Sequence, residues 1–146
     1  MTPVRDEFFP SRSLIIDRYF DTASGLTLWG LARSWADRRP DEVVVVSQPA
    51  PGSKHAPERW TWAEFVADTS EFRRRLAAHG VGRGAIVLMA LPNSPLALAT
   101  WLAVPANAAV IQAVDVDSGL IALRRAIAVS DPVLVIAARE VEQKQK

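Results

Sequence analysis

The sequence contains no cysteine. That single absence removes disulfides, thiol nucleophiles, iron–sulfur clusters and zinc–thiolate centres together. Lysine is scarce: only Lys54, Lys144 and Lys146 stand beside fourteen arginines. None of the three falls in an expected buried element, where desolvation would lower its pKa for Schiff-base or nucleophilic work. The two histidines, His55 and His79, sit in a proline-rich loop and near a helix end. Neither has a metal-ligand spacing to acidic partners. Net charge is lacking as well. Seventeen basic residues against sixteen acidic ones leave a formal +1, which provides no field to attract nucleic acid or anionic lipid.

Targeting signals are also missing from the front of the chain. Arg5, Asp6, Glu7, Arg12 and Asp17 interrupt it, so no apolar run of signal-peptide length forms. A different gap needs explaining: residues 85–114 carry no charge at all, longer than the ~20 residues a helix needs to cross a bilayer. Pro92, Pro95, Pro105, Asn93 and Asn107 divide that stretch. Pro92-Asn93-Ser94-Pro95 is turn chemistry, and a turn exposed to lipid would orphan its backbone polar groups. The stretch reads as buried strand, helix and strand in a soluble cytoplasmic chain, with no membrane span.

What is present suits one globular domain: 146 residues, 49% of them hydrophobic, enough for a real core. Residues 1–25 are mixed and breaker-rich, an arm lying on something. Residues 26–39 carry Leu28, Leu31, Ala32 and Trp35 at helical spacing, and Pro40 stops them. Val43-Val44-Val45-Val46 is a β-branched run, expected as a strand covered on both faces in a parallel sheet. Residues 48–58 are expected as a surface loop. Thr61 and Glu64 form a capping box that opens a helix to about His79, striped by Phe65, Thr69, Phe72 and Leu76. Gly80 suits the left-handed position after it.

Residues 85–91 form the next buried strand. Ser94 caps the following helix, with Pro95 at its first position. Leu96, Ala99, Leu102 and Ala103 are the expected apolar side, and Asn107 the left-handed stop. Residues 109–114 and 133–137 are two more strands. A helix between them is capped by Asp117 or Ser118 and carries Leu120, Leu123, Ile127 and Ala128. Residues 139–146 are a short polar tail. Strands alternating with helices imply βαβ units, hence an α/β fold with a parallel sheet.

The motifs with chemical potential are few. Gly80-Val81-Gly82-Arg83-Gly84 follows a helix and enters a strand, the reverse of a dinucleotide fingerprint, so it reads as a helix stop and tight turn. Arg73-Arg74-Arg75 is a solvated basic patch at a helix end. No G-x-S-x-G elbow occurs. The ligand-loop candidates are Asn93 and Ser94 after one strand and Asp115 and Asp117 after the next, because open parallel sheets bind ligands at strand C-terminal ends. The plainer reading of the acidic pair is that Asp117 caps a helix and Asp115 is solvated. No catalytic residue and no metal ligand is assigned.

The order of elements resembles the AMP-forming acyl-CoA synthetase (adenylate-forming) superfamily. Leu26-Thr27-Leu28-Trp29 followed by Arg38-Arg39-Pro40-Asp41 is similar to its opening helix, and Trp60-Thr61-Trp62-Ala63-Glu64-Phe65 to its T-Y-x-E-L helix start. Residues 76–84 resemble its L-x-x-x-G-V-x-x-G-D turn. Leu91-Pro92-Asn93-Ser94-Pro95 matches its L-P-N-S-P segment. Trp101-Leu102-Ala103 with Ala106-Asn107-Ala108 is similar to W-L-A-x-x-x-A-G-A, and Ser130-Asp131-Pro132-Val133-Leu134-Val135-Ile136 to D-S-G-A-K-V-L-I. The resemblance spans about residues 26–138. Departures are Ala85 for the family's Asp, Asn107 for a Gly, and Gln112 where Pro is common. The 48–58 insertion loosely resembles carnitine- or crotonobetaine-type CoA ligases.

The resemblance implies activation of a carboxylic acid with ATP to an acyl adenylate, then transfer to coenzyme A. It also implies that ATP, Mg and CoA belong to parts of the parent enzyme that this chain lacks: the T-S-G-T-T-G loop and the later adenine, ribose and lysine motifs. The expectation is an N-terminal piece of an acid–CoA ligase, inactive alone, that self-associates or docks on a complementary chain. Two other readings remain: a non-catalytic α/β binding or interaction module, and a doubly wound nucleotide binder using Pro92-Asn93-Ser94 and Asp115. A downstream reading frame encoding T-S-G-T-T-G favours the first reading over the module.

Overall fold

Local hydrogen bonds set most of the helix boundaries. A computed structural model of the chain describes residues 27–49 and 56–138. The arm, His55 with most of its loop, and the polar tail expected from sequence lie outside the described residues. Helix α1 spans Leu28–Arg38, where the Thr27 side chain accepts from Gly30 N at 2.9 Å. Helix α2 spans Trp62–Ala78 behind the expected capping box. Glu64 N donates to Thr61 Oγ1 at 3.3 Å, and Glu64 Oε2 accepts from Thr61 N at 2.9 Å. The Thr61 backbone N–H, and after it the Thr61 hydroxyl donating to Glu64 Oε2 at 3.0 Å, hold the Glu64 carboxyl below its usual range. Gly80 ends the helix at φ +82°, a conformation open to glycine at no steric cost.

Helix α3 spans Pro95–Ala106, with Ser94 Oγ accepting from Ala97 N at 3.2 Å and Pro95 in the first turn. Helix α4 spans Gly119–Ser130, after a single 3₁₀ turn at Val116–Ser118. Strands are β1 Val43–Ser47, β2 Glu58–Thr61, β3 Ile86–Ala90, β4 Val110–Ala113 and β5 Leu134–Ala137.

Strands β3, β4 and β5 form the expected parallel sheet in the order β4-β3-β5, with Val87 level with Ile111 and Leu134. β3 is central, so α3 carries the chain one way along the sheet and α4 carries it back past β3. Connections of one hand then place the two helices on opposite faces. On one face Val87, Ile111, Leu134 and Ile136 meet Leu76 and Phe72 of α2 and Ala103 and Val104 of α3. Leu88, on the other face by strand alternation, is fully buried beside α4.

Four expectations are corrected. The valine run of β1 does not join the parallel sheet: it pairs antiparallel with β2 in a separate two-stranded sheet, and Val43 and Val46 stay exposed. β2 itself lies partly within the expected 48–58 loop and beyond it. The buried side of α3 is Ala97, Thr100, Ala103 and Val104, whereas Leu96 is 45% exposed. Small side chains let α3 approach its neighbours closely, so the larger leucines are turned outward. Asn107 does not take the left-handed position. It caps α3 at φ −93°, and Ala108 carries the positive φ of 58°. The reason is tertiary: the Asn107 amide is held across to α2, donating to Arg73 O and accepting from Arg73 Nε, each at 3.0 Å.

A left-handed non-glycine residue costs about 1–2 kcal/mol. Ala108 is exposed and its amide donates to Pro105 O at 2.9 Å, which glycine preserves. Ala108→Gly is therefore expected to stabilise the fold by about 1 kcal/mol, since relief of strain exceeds the added chain entropy. Urea denaturation with an unchanged m-value checks it; a lower midpoint would refute it.

Candidate functional site

In a parallel sheet all strand C-terminal ends share one edge, and the loops leaving them line it. Here those loops are residues 91–94 after β3, residues 114–118 after β4, and the chain beyond Ala137. Because order reverses across β3, the crevice of the topological switch lies between β3 and β5. Asn93 and Ser94 leave β3 and flank it. Asp115 and Asp117 leave the edge strand β4, on the far side from β5.

The structure thus separates the four candidate residues into two groups. Asn93 and Ser94 open onto a groove of about 420 Å³ that also includes Val45–Gln48, Leu98 and Trp101. Among the described residues, no ionisable side chain lines this groove. Its polar groups are the Asn93 and Gln48 amides and the Ser47 and Ser94 hydroxyls, and Ser94 Oγ is already accepting the α3 cap bond. Such a lining can hold a neutral polar group against the Trp101 indole, but it offers no acid or base for proton transfer.

Asp115 and Asp117 do not reach the groove. Asp115 Oδ1 accepts from Asp117 N at 3.0 Å and thereby caps the 3₁₀ turn. The plainer reading holds in part: Asp115 is exposed, as expected, but also caps the 3₁₀ turn, and the α4 N-cap is Ser118, one of the two expected caps, whose side chain makes no cap bond. The Asx turn at Asp115 lies three residues before the α4 N-cap, and Gly119 at φ +74° follows the 3₁₀ turn.

Other polar groups among the described residues are held in ion pairs, ring contacts and helix-end bonds. Glu71 is gripped by Arg75 Nε at 2.9 Å and by Arg74, and the Arg75 hydrogen bond holds its carboxyl below the usual range. Arg73 lies over the Trp29 ring at 5.4 Å, and Arg39 over Trp35 at 4.9 Å. His79 Nδ1 stands 2.8 Å from Arg75 O at the helix end. Among the described residues no group of three or more His, Cys, Asp or Glu is positioned to hold a metal, and no helix is long and apolar enough to cross a membrane.

Sequence reasoning missed the wall formed by Val45–Gln48 and Trp101. In the sequence Trp101 is part of a Trp-Leu-Ala motif, and nothing local marks it as a surface residue. Only packing, which turns α3 onto its alanine and threonine side, leaves this indole 47% exposed at the groove.

Comparison with known proteins fits this arrangement. A 4-coumarate–CoA ligase-like protein of Oryza sativa subsp. japonica is 27% identical over 113 residues, covering 77% of this chain and 20% of its own length. Among solved structures, acetoacetyl-CoA synthetase from Streptomyces lividans is 29% identical with a TM-score of 0.67, over 75% of this chain and 17% of that one. VinN, 24% identical with a TM-score of 0.66, covers 84% of this chain and 30% of its own, and shares the fold. The chain therefore spans about a fifth of the curated relative it matches. The sequence pattern of AMP-binding enzymes matches residues 32–146. On that match, the chain belongs to the AMP-binding enzyme family, whose adenylate-forming α/β fold its described elements reproduce.

Proposed function

We propose that this chain supplies the opening part of the large domain of an acid–CoA ligase, a scaffold portion of an enzyme that converts an acid and ATP to an acyl adenylate and then to an acyl-CoA. The observation that carries the reading is the match to AMP-binding enzymes over residues 32–146. The names of the rice relative and the Streptomyces lividans synthetase support the acid–CoA ligase class. Charge stabilisation on a transferring phosphate needs fixed cationic or backbone donors and a metal. The groove at Asn93 and Trp101 has neutral polar groups instead. In this reading ATP, Mg and CoA are bound by the remainder of the ligase, and the assembled enzyme works in the cytoplasm.

The open side of the sheet supports a partner for this chain. Val133, just before β5, is 52% exposed, Val110 on β4 53% and Ile121 on α4 86%, apolar surface left uncovered at the sheet edges and on a helix. The complementary portion of the ligase, or a second copy, covers that side.

ATP–pyrophosphate exchange on the isolated chain, with a panel of carboxylic acids, tests the proposal. The expected result is no exchange above the protein-free background with any acid. Robust exchange would overturn it.

A further inference from the structure

We infer that two adjoining grooves bind a single-chain amphiphile with an uncharged polar head, its alkyl tail between α1, β1 and α3 and its head at Asn93. The tail groove has a volume of about 390 Å³, and its walls include Leu28, Leu31, Trp35, Val45, Leu98 and Trp101. Every described residue that lines it is apolar. Leu28 is 66% exposed, Leu31 44% and Leu98 49%, so large apolar side chains meet water there, a cost that an alkyl chain removes.

Three observations select this ligand. The first is shape. Three separate elements bound the trough, which makes it concave. At about 390 and 420 Å³ the grooves fall in the size range of small-molecule sites, about 300–1,000 Å³. A protein partner uses a broader patch, about 800 Å² on each side.

The second is continuity. Val45, Leu98 and Trp101 line both grooves, so the apolar trough opens directly into the groove that holds Asn93. A molecule that fills both must be apolar at one end and polar at the other.

The third is the charge of the polar end. Among the described residues no ionisable side chain lines either groove, so a carboxylate or ammonium head would lose water without gaining a partner. The start of α3 offers an anion little: Pro95 has no N–H, and Ala97 N already donates to Ser94 Oγ at 3.2 Å. The Asn93 and Gln48 amides and the Ser47 hydroxyl both donate and accept, which suits hydroxyl, ester or amide groups. The ligand is therefore not the carboxylic acid of the ligase proposal, and the inference stands or falls independently of it.

Isothermal titration of the full chain with 1-decanoylglycerol, kept below its micelle concentration, tests it. The expected result is saturable binding of one molecule per chain, about tenfold tighter than decanoate or decyltrimethylammonium. Shortening the tail to octanoyl is expected to weaken binding about tenfold, because two buried methylenes are lost. Full-length variants locate the site. Leu98→Arg, at a half-exposed position shared by both grooves, is expected to abolish binding, whereas Ile121→Arg on α4 leaves it unchanged. Asn93→Asp, a change of shape-matched side chains at the exposed head end, is expected to raise the affinity for decyltrimethylammonium about tenfold by supplying the missing countercharge. No saturable binding, equal binding of decanoate, binding insensitive to Leu98→Arg, an unchanged head preference in Asn93→Asp, or association with phosphatidylcholine vesicles only would each overturn the inference.

Discussion

Leu88→Ala is expected to remove about 3 kcal/mol of folding stability, within the 2–5 kcal/mol range for truncating a buried leucine. Leu88 lies at the middle of the central strand, level with Gln112 and Val135, and is fully buried. Strands flank it on both sides, α4 lies over its face, and the opposite face of β3 is packed on α2 and α3. Such a position has little freedom to collapse around a lost isobutyl group, so the residual cavity adds to the lost transfer energy. A domain of this kind holds only about 5–15 kcal/mol in total. The melting midpoint should therefore fall by about 10 °C, at roughly 3 °C per kcal/mol for this length. Ile121→Ala supplies the contrast, since Ile121 is 86% exposed and should change stability by less than about 0.5 kcal/mol. Thermal or urea denaturation of the two variants measures the difference, and equal losses would contradict the layer arrangement described above.

Asn107→Ala is expected to cost about 2 kcal/mol, by a different mechanism. The Asn107 amide makes two hydrogen bonds to Arg73, one to its backbone carbonyl and one from its guanidinium, across 34 residues of sequence. Both are partly buried, and each such bond contributes about 1 kcal/mol net, more where a charged group takes part. Their loss unfastens the C-terminal end of α3 from α2 and frees Arg73, which also covers Trp29. A double-mutant cycle with Arg73→Ala isolates the side-chain bond from the carbonyl bond. Coupling near 1 kcal/mol is expected, as for contacting residues that share a hydrogen bond; no coupling would show that the Nε bond contributes nothing. Asn107→Gly, which restores the residue usual in the resembling family, should lose the same two bonds and so should not rescue stability.

The place of Asn107 at the helix end is legible in the sequence, but local backbone chemistry alone points to the wrong role for it. The competing influence was Arg73, far away in sequence and adjacent in space, which holds Asn107 at ordinary φ and shifts the strain to Ala108. Trp35 and Trp62 give a similar lesson. They stack at 6.3 Å and help fasten α1 to the start of α2, yet no periodicity within either helix announces the pair. Of the candidate ligand residues, Asn93 and Ser94 do reach a groove, whereas Asp115 is spent on the turn that it caps. A motif at a strand end specifies which edge of the sheet a residue occupies; it does not specify which crevice on that edge.

The sequence by itself determined the helix starts at Thr61 and Ser94, the glycine stop at Gly80, and the succession of strands and helices from β3 to β5. These rest on interactions three or four residues long, whose partners are written side by side in the chain. It also carried the family likeness, because ordered motifs survive where no single one is diagnostic. Only the tertiary structure decided that β1 pairs with β2 instead of joining the parallel sheet, that α3 buries its small residues, and that Trp101 faces a groove. Those outcomes depend on which surfaces fit together at close packing across the chain. A residue's own neighbours in sequence hold no record of that.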